Sequence, residues 1–357
     1  MNALPAWLTD KALSADLETL LAPEQDGSLE QLAAEAQAIT LRRFGRIVSL
    51  YAPLYLSNFC SSGCVYCGFA SDRKAPRRRL EYDEIEKELV AMKMLGINDA
   101  LLLTGERTSS VGFDYLRRAV EIAAKVMPRV AVEAFPMTVG EYRALAESGC
   151  TGITIYQETY NPENYHNLHR WGPKQDFLER LETPERALQG GIRSVGVGAL
   201  LGLAEPISEA LALARHVRHL CRTWWKAGVS VSFPRIRPQE GGYQPAYPVE
   251  DRFLAHMIFA FRIAMPDVDL VLSTRENPNF RDGMAGLGIT RMSIASRTTV
   301  GGYLDTETPG ASQFEVSDNR SAEAFCRALR AKEIEPVFKN WDPAYNGPVT
   351  EDESTCC

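Results

Sequence analysis

A chain of 357 residues, 45% of them hydrophobic, can bury a large core, and its length fits one α/β barrel or two ordinary domains. The net charge of −7 argues against nucleic acid as the main partner. The first residues, MNALPAWLTDKALSADLETLL, lack the apolar core of a secretory signal, and no apolar run approaches the ~18 residues of a membrane span, so no membrane role is expected.

Residues 1–46 read as an N-terminal helical extension. From there, short runs rich in β-branched residues alternate with amphipathic, charged stretches. The strand candidates are 47–56, 99–105, 129–135, 152–158, 194–203, 229–235, 269–275 and 289–297. EYDEIEKELVAMKML is typical of the stretches between them, with Ile85, Leu89 and Met92 spaced for one helical face. Eight strands, each followed by a helix, predict an α/β fold: a (β/α)8 TIM-type barrel over residues 47–298. Residues 299–357 read as a C-terminal extension closing the barrel, with GPVTEDESTCC as a mobile tail. Polar residues gather where the strands end: TGE after the second, QET after the fourth, then SFPR, STRE and SRT after the last three. Those ends form the face on which barrels place their chemistry.

The loop after the first strand, SNFCSSGCVYCGFAS, holds Cys60, Cys64 and Cys67 in Cys-x3-Cys-x2-Cys spacing. Cysteines can serve as small buried hydrophobes, but three in a polar, glycine-containing loop make odd core residues. Structural zinc wants four ligands, and the nearest histidines, His166 and His169, lie about a hundred residues on. A thiolate-held iron–sulfur cluster is the remaining soft-metal option, and three ligands leave one iron of a cubane open. The other cysteines are scattered singly or paired at the tail as Cys356 and Cys357. This is no disulfide framework, and it suggests a reducing cytoplasm.

With Tyr66 as the aromatic residue before the last cysteine, this loop resembles the signature of the radical S-adenosylmethionine (SAM) superfamily. The resemblance implies a [4Fe–4S] cluster on Cys60, Cys64 and Cys67, with SAM chelating the open iron. It also implies a SAM site built from Tyr66, Thr104, Gly105, Glu106, Glu158 and Arg180. Thr104 stands where the family more often has glycine. A carboxylate such as Glu158 suits ribose hydroxyls, and a guanidinium fork such as Arg180 suits the SAM carboxylate.

FGRIVSLYAPLYLSNFCSSGCVYCGF, IYQETYNPENYH, QDFLERLETPERA, VSFPRIRP, STRENPNFRD and SRTTVGGY extend the resemblance to the aromatic amino acid lyases. FPRIRP, GGYQPAYPVED and VFKNWD favour the tyrosine lyases that feed thiazole formation in thiamine biosynthesis. The implied reaction cleaves the Cα–Cβ bond of L-tyrosine to 2-iminoacetate and p-cresol, with SAM converted to 5′-deoxyadenosine and methionine. The implied partners are thiazole synthase and a flavodoxin- or ferredoxin-type electron donor. Two alternatives are a tryptophan lyase making an indolic acid and the tyrosine lyase of hydrogenase maturation. The latter carries a second cluster motif that this chain lacks.

A zwitterion buried in a barrel needs its carboxylate paired. The candidates are Arg275 and Arg297, with Arg235 as a third, and Ser293 and Ser296 as nearby donors. Tyr303 is expected to line the cavity. Three further features read as ordinary surface or packing: the Arg77–Arg79 run as a solvated face able to dock an acidic donor, His216 and His219 as an exposed helical pair, and Trp224 and Trp225 as packing residues.

Overall fold

Eight parallel strands close into a barrel in the computed structural model, which describes residues 3–22, 28–304 and 311–338. They are β1 (Ile47–Tyr55), β2 (Asp99–Leu103), β3 (Arg129–Glu133), β4 (Gly152–Thr154), β5 (Ser194–Gly198), β6 (Gly228–Ser232), β7 (Asp269–Leu272) and β8 (Arg291–Ser293). Neighbours in sequence are neighbours in space, and β1 closes the ring by pairing with β2 (Ala52 opposite Ala100) and with β8 (Leu50 opposite Met292). All eight expected strands are present and run shorter than their expected stretches, because the chain leaves the ladder at the strand ends to form loops. A further strand, β9 (Glu335–Val337), was not legible: it is three residues long with a central proline. It pairs with Ile47–Ser49 at the start of β1.

Alternation along the strands sorts the side chains. Val48, Leu50, Ala52 and Leu54 of β1 join the main core beneath the outer helices. Tyr51 and Tyr55 face inward and pack with Leu101, Leu103, Ala131 and Val271. Burial on both faces makes β1 and β2 near-continuous apolar runs. On the other side of the ring the inward positions are small: Gly152 and Thr154 on β4, Ser194 and Gly196 on β5, Ser230 and Ser232 on β6. An ordinary barrel fills its interior with branched side chains. Here the small residues leave a cavity of about 830 Å³ in the lower barrel. Tyr51, Leu101, Tyr156, Ser232 and Val271 line both it and a smaller chamber near the C-terminal ends of the strands.

The N-terminal helices pack on the outside. Ser28–Phe44 lies against Asp251–Ala264, and Trp7 stacks on both His216 and His219, with ring centroids 4.9 and 4.8 Å apart. That corrects the exposed-pair expectation for His216, which is buried and bonds Tyr160 Oη through Nδ1 at 2.9 Å. Trp224 packs on the core and donates to Glu185, whereas Trp225 is 76% exposed. Among the described residues no helix is long and apolar enough to cross a membrane. Most of the tail, with Cys356 and Cys357 and the end of VFKNWD, lies outside the described residues.

Candidate active site

The loop from Leu56 to Leu80 carries the three cysteines, and arginine holds its shape. Arg77 donates to the carbonyls of Asn58 (2.7 Å), Phe69 (2.9 Å) and Ala70 (2.6 Å). Arg73 donates to those of Val65 (2.9 Å) and Cys67 (3.3 Å). A planar guanidinium with five donors can cross-brace several carbonyls at once, which an ammonium on a flexible stem does poorly. The reading of Arg77–Arg79 as a solvated face is therefore corrected for Arg77. Arg77 is an internal brace, Arg78 pairs with Glu84, and Arg79 donates to the Ser110 carbonyl and lies over the Tyr115 ring.

The end of β2 presses against the cysteine loop. A Cβ on Gly105 would lie 2.5 Å from the Phe59 carbonyl oxygen and 2.7 Å from Cys60 Cβ, so no side chain fits there. The Glu106 N–H donates to Cys60 Sγ at 3.4 Å, and the Phe69 N–H to Cys67 Sγ at 3.4 Å. Burial pushes the Cys60 thiol up to about 11, with the charges of Glu106 and Cys67 adding to it, and burial likewise raises Cys64. Burial of this kind disfavours a thiolate, and a bound cation would offset it. Three thiols on one loop, two of them accepting N–H donors on sulfur, suit an iron–sulfur cluster. Gly105→Ala is expected to fold with a loss of roughly 1–3 kcal/mol and to retain less iron, because the cysteine loop must shift. Iron per chain and melting temperature check it.

Beside the cysteines lies a buried charge network. Arg180 Nη1 meets Glu106 Oε1 at 3.0 Å, its Nη2 lies 3.6 Å from Glu158 Oε1, and its Nε donates to the Tyr156 carbonyl at 2.6 Å. The structure thus brings Glu106, Glu158 and Arg180 together from three separate segments. Glu158 ends the β4 segment in a left-handed conformation (φ 69°), an uncommon geometry for a residue with a Cβ and one that clusters at functional sites.

Two members of this site escaped the sequence. Lys174 Nζ bonds Glu158 Oε1 at 2.7 Å and lies 5.8 Å from the centre of the Tyr66 ring. His169 Nδ1 bonds the Tyr165 carbonyl at 2.6 Å, so Nδ1 carries the proton and Nε2 accepts from Tyr66 Oη at 2.6 Å. His169 is thus next to the cysteine loop despite its distance along the chain, and it anchors Tyr66. Burial would raise the Glu158 carboxyl; Lys174 and Arg180 outweigh it and hold the group below its ordinary range.

The upper chamber is lined by Tyr51, Tyr55, Glu133, Tyr156, Arg275 and Phe314, among others, and Ser293 and Ser296 also border it. Arg275 stacks over the Phe314 ring at 3.3 Å and makes one long bond, to the Arg235 carbonyl at 3.3 Å. Three expected substrate residues lie elsewhere. Arg297 is exposed and does not border the chamber. Arg235 is bound to Glu276 and to Asp251 (2.7 Å) and donates to the Val249 carbonyl. Tyr303 is buried with its hydroxyl donating to the Pro53 carbonyl at 2.8 Å and its N–H to Glu88 at 2.7 Å.

Residues 54–217 match the model of the radical SAM superfamily, and residues 232–335 match that of the biotin and thiamin synthesis associated domain. The chain is 41% identical to 2-iminoacetate synthase of Escherichia coli (strain K12), over 98% of this chain and 94% of that one. A solved structure of the FeFe-hydrogenase maturase HydG from Carboxydothermus hydrogenoformans superposes with a TM-score of 0.85 at 30% identity, covering 92% of this chain and 78% of that one. Methylornithine synthase (PylB), 21% identical with a TM-score of 0.74, shares the fold. A cysteine loop braced for a cluster, a charge network beside it and near-full-length identity to one group of enzymes converge: the chain belongs to the radical SAM superfamily and, within it, to the 2-iminoacetate synthases.

Proposed function

We propose that the protein is a tyrosine lyase that cleaves the Cα–Cβ bond of L-tyrosine to 2-iminoacetate and p-cresol for thiazole formation in thiamine biosynthesis. The observation that carries this reading is a chamber containing Arg275 whose tyrosine wall packs against Cys60 and Cys67 of the cysteine loop, in a chain of this family. When bound, the [4Fe–4S] cluster and SAM would supply the radical chemistry that removes a hydrogen atom from the substrate's amino group. The chain's own residues bind and orient. Cys60, Cys64 and Cys67 hold the cluster. Tyr66, Thr104, Gly105 and Glu106 would border the SAM amino group and adenosine, Glu158 would accept from the ribose hydroxyls, and Arg180 would pair with the SAM carboxylate. Lys174 keeps Glu158 ionised. Arg275, with Ser293 and Ser296, receives the tyrosine carboxylate, and the tyrosine-lined wall excludes water. A reduced flavodoxin or ferredoxin supplies the electron in the cytoplasm, and thiazole synthase consumes the imine.

The test is product analysis by mass spectrometry after anaerobic reconstitution with SAM, dithionite and either tyrosine or tryptophan. p-Cresol from tyrosine supports the reading; an indole-derived product from tryptophan alone overturns it. Glu158→Ala and Arg180→Ala are expected to weaken SAM binding roughly ten- to a hundredfold with iron unchanged, since each removes a charge-assisted contact. SAM affinity unchanged in both variants would move the cofactor elsewhere.

A further inference from the structure

Glu133 is the last residue of β3 and borders the chamber that holds Arg275. Among the described residues its carboxylate makes no hydrogen bond and no ion pair. Arg275, across the chamber, likewise has no carboxylate partner among the described residues. Two opposite charges that border one chamber and feel each other, with no direct hydrogen bond or ion pair to a counter-charge, are costly to the free protein, so the fold keeps them for something that carries both signs. A free α-amino acid does, with its two charges on adjacent groups.

We propose that Glu133 holds the ammonium group of the substrate and accepts one of its protons, so that Glu133 and Arg275 together frame the two charged ends of the amino acid. The proposal rests on the tyrosine-lyase reading above. The transfer is balanced: ammonium plus carboxylate becomes neutral amine plus carboxylic acid, and the amine keeps two N–H bonds, one of which is the hydrogen to be removed. Burial pushes the Glu133 carboxyl up to about 7, and the nearby charge of Glu158 adds to it, while Arg275, Arg180 and Lys174 oppose. The same desolvation lowers the proton affinity of a bound ammonium, which brings donor and acceptor toward each other. Tyr51, Tyr55 and Tyr156 face the same space, and burial raises all three, so they stay neutral and do not compete for the proton.

The test uses the reconstituted, unreduced enzyme with SAM and three ligands: L-tyrosine, tyramine, which lacks the carboxylate, and 3-(4-hydroxyphenyl)propanoate, which lacks the amine. The parent is expected to bind tyrosine best. Glu133→Gln is expected to lose roughly ten- to a hundredfold in tyrosine affinity and to bind the propanoate as well as the parent does or better. It is also expected to melt no lower than the parent at pH 8, because it removes an unpaired charge; a merely structural residue would lower the melting temperature. Glu133→Asp, the second variant, keeps the charge and is expected to lose tyrosine affinity only in part. If the parent binds tyrosine but both variants keep its preference for tyrosine over the propanoate, the proposal is overturned and the lyase reading stands. A parent that binds no tyrosine overturns both.

Discussion

Cys64→Ala protein, rebuilt anaerobically with iron and sulfide, is expected to retain almost no stable iron and to produce no 5′-deoxyadenosine. The parent should hold about four irons per chain. The argument is geometric. The cysteine loop is a preformed frame, tied by Arg77 and Arg73 to its own carbonyls and pressed by Gly105 from behind. Removing one sulfur from a three-ligand set leaves two, too few to hold a cubane against exchange with solvent. The tail offers a contrast, since replacing both Cys356 and Cys357 is expected to leave iron and activity intact. Loss of about half the iron from that double variant would mean a second cluster and would revive the hydrogenase-maturation alternative.

The eight strands were legible because each carries a short run rich in apolar or β-branched residues, near-continuous on β1 and β2 and alternating with small residues on β5 and β6. The convergence of Glu106, Glu158 and Arg180 was legible because two of them stand at strand ends and the third sits in a segment that matches the family resemblance. What escaped was set by tertiary geometry. Lys174 sits in a polar loop with no motif of its own, yet the chain delivers it to Glu158. His169 was set aside because of its separation in sequence, and the structure places it against Tyr66. Arg77 reads as one member of a basic run, and only the folded loop shows the carbonyls that it binds.

The substrate arginines show the limit most clearly. Beyond β7, Val271, Ser273, Thr274 and Arg275 all border the chamber, the last two from the turn that follows the strand. A count of alternate positions on β8 runs from Arg291 and Ser293 to position 297. At Ala295, however, the backbone turns left-handed (φ 46°), the alternation breaks, Ser296 takes the inward place and Arg297 faces out. Gly301 and Gly302, both at positive φ, then turn the chain so that Tyr303 packs under Glu88. Two left-handed stretches decide three assignments, and residue types do not announce where an alanine will adopt that conformation.

Arg275→Leu is therefore expected to separate substrate binding from cofactor chemistry. Its guanidinium is held flat over Phe314 with most of its donors free, which suits a bidentate carboxylate. Leucine fills much of the space and offers no donor, so a bound tyrosine would keep the desolvation cost of its carboxylate and lose the partner. Such losses run at about 1.5–3 kcal/mol, or roughly ten- to a hundredfold in affinity. SAM binding should survive, since Glu106, Glu158 and Arg180 lie on other segments. The ratio of p-cresol to 5′-deoxyadenosine should fall steeply, because SAM cleavage without a correctly seated substrate yields no cresol. Arg297→Leu should leave that ratio unchanged, its side chain being exposed. The reverse pattern, with Arg275→Leu silent and Arg297→Leu impaired, would require the segment around Ala295 to rearrange when substrate binds, and would move the carboxylate site to β8.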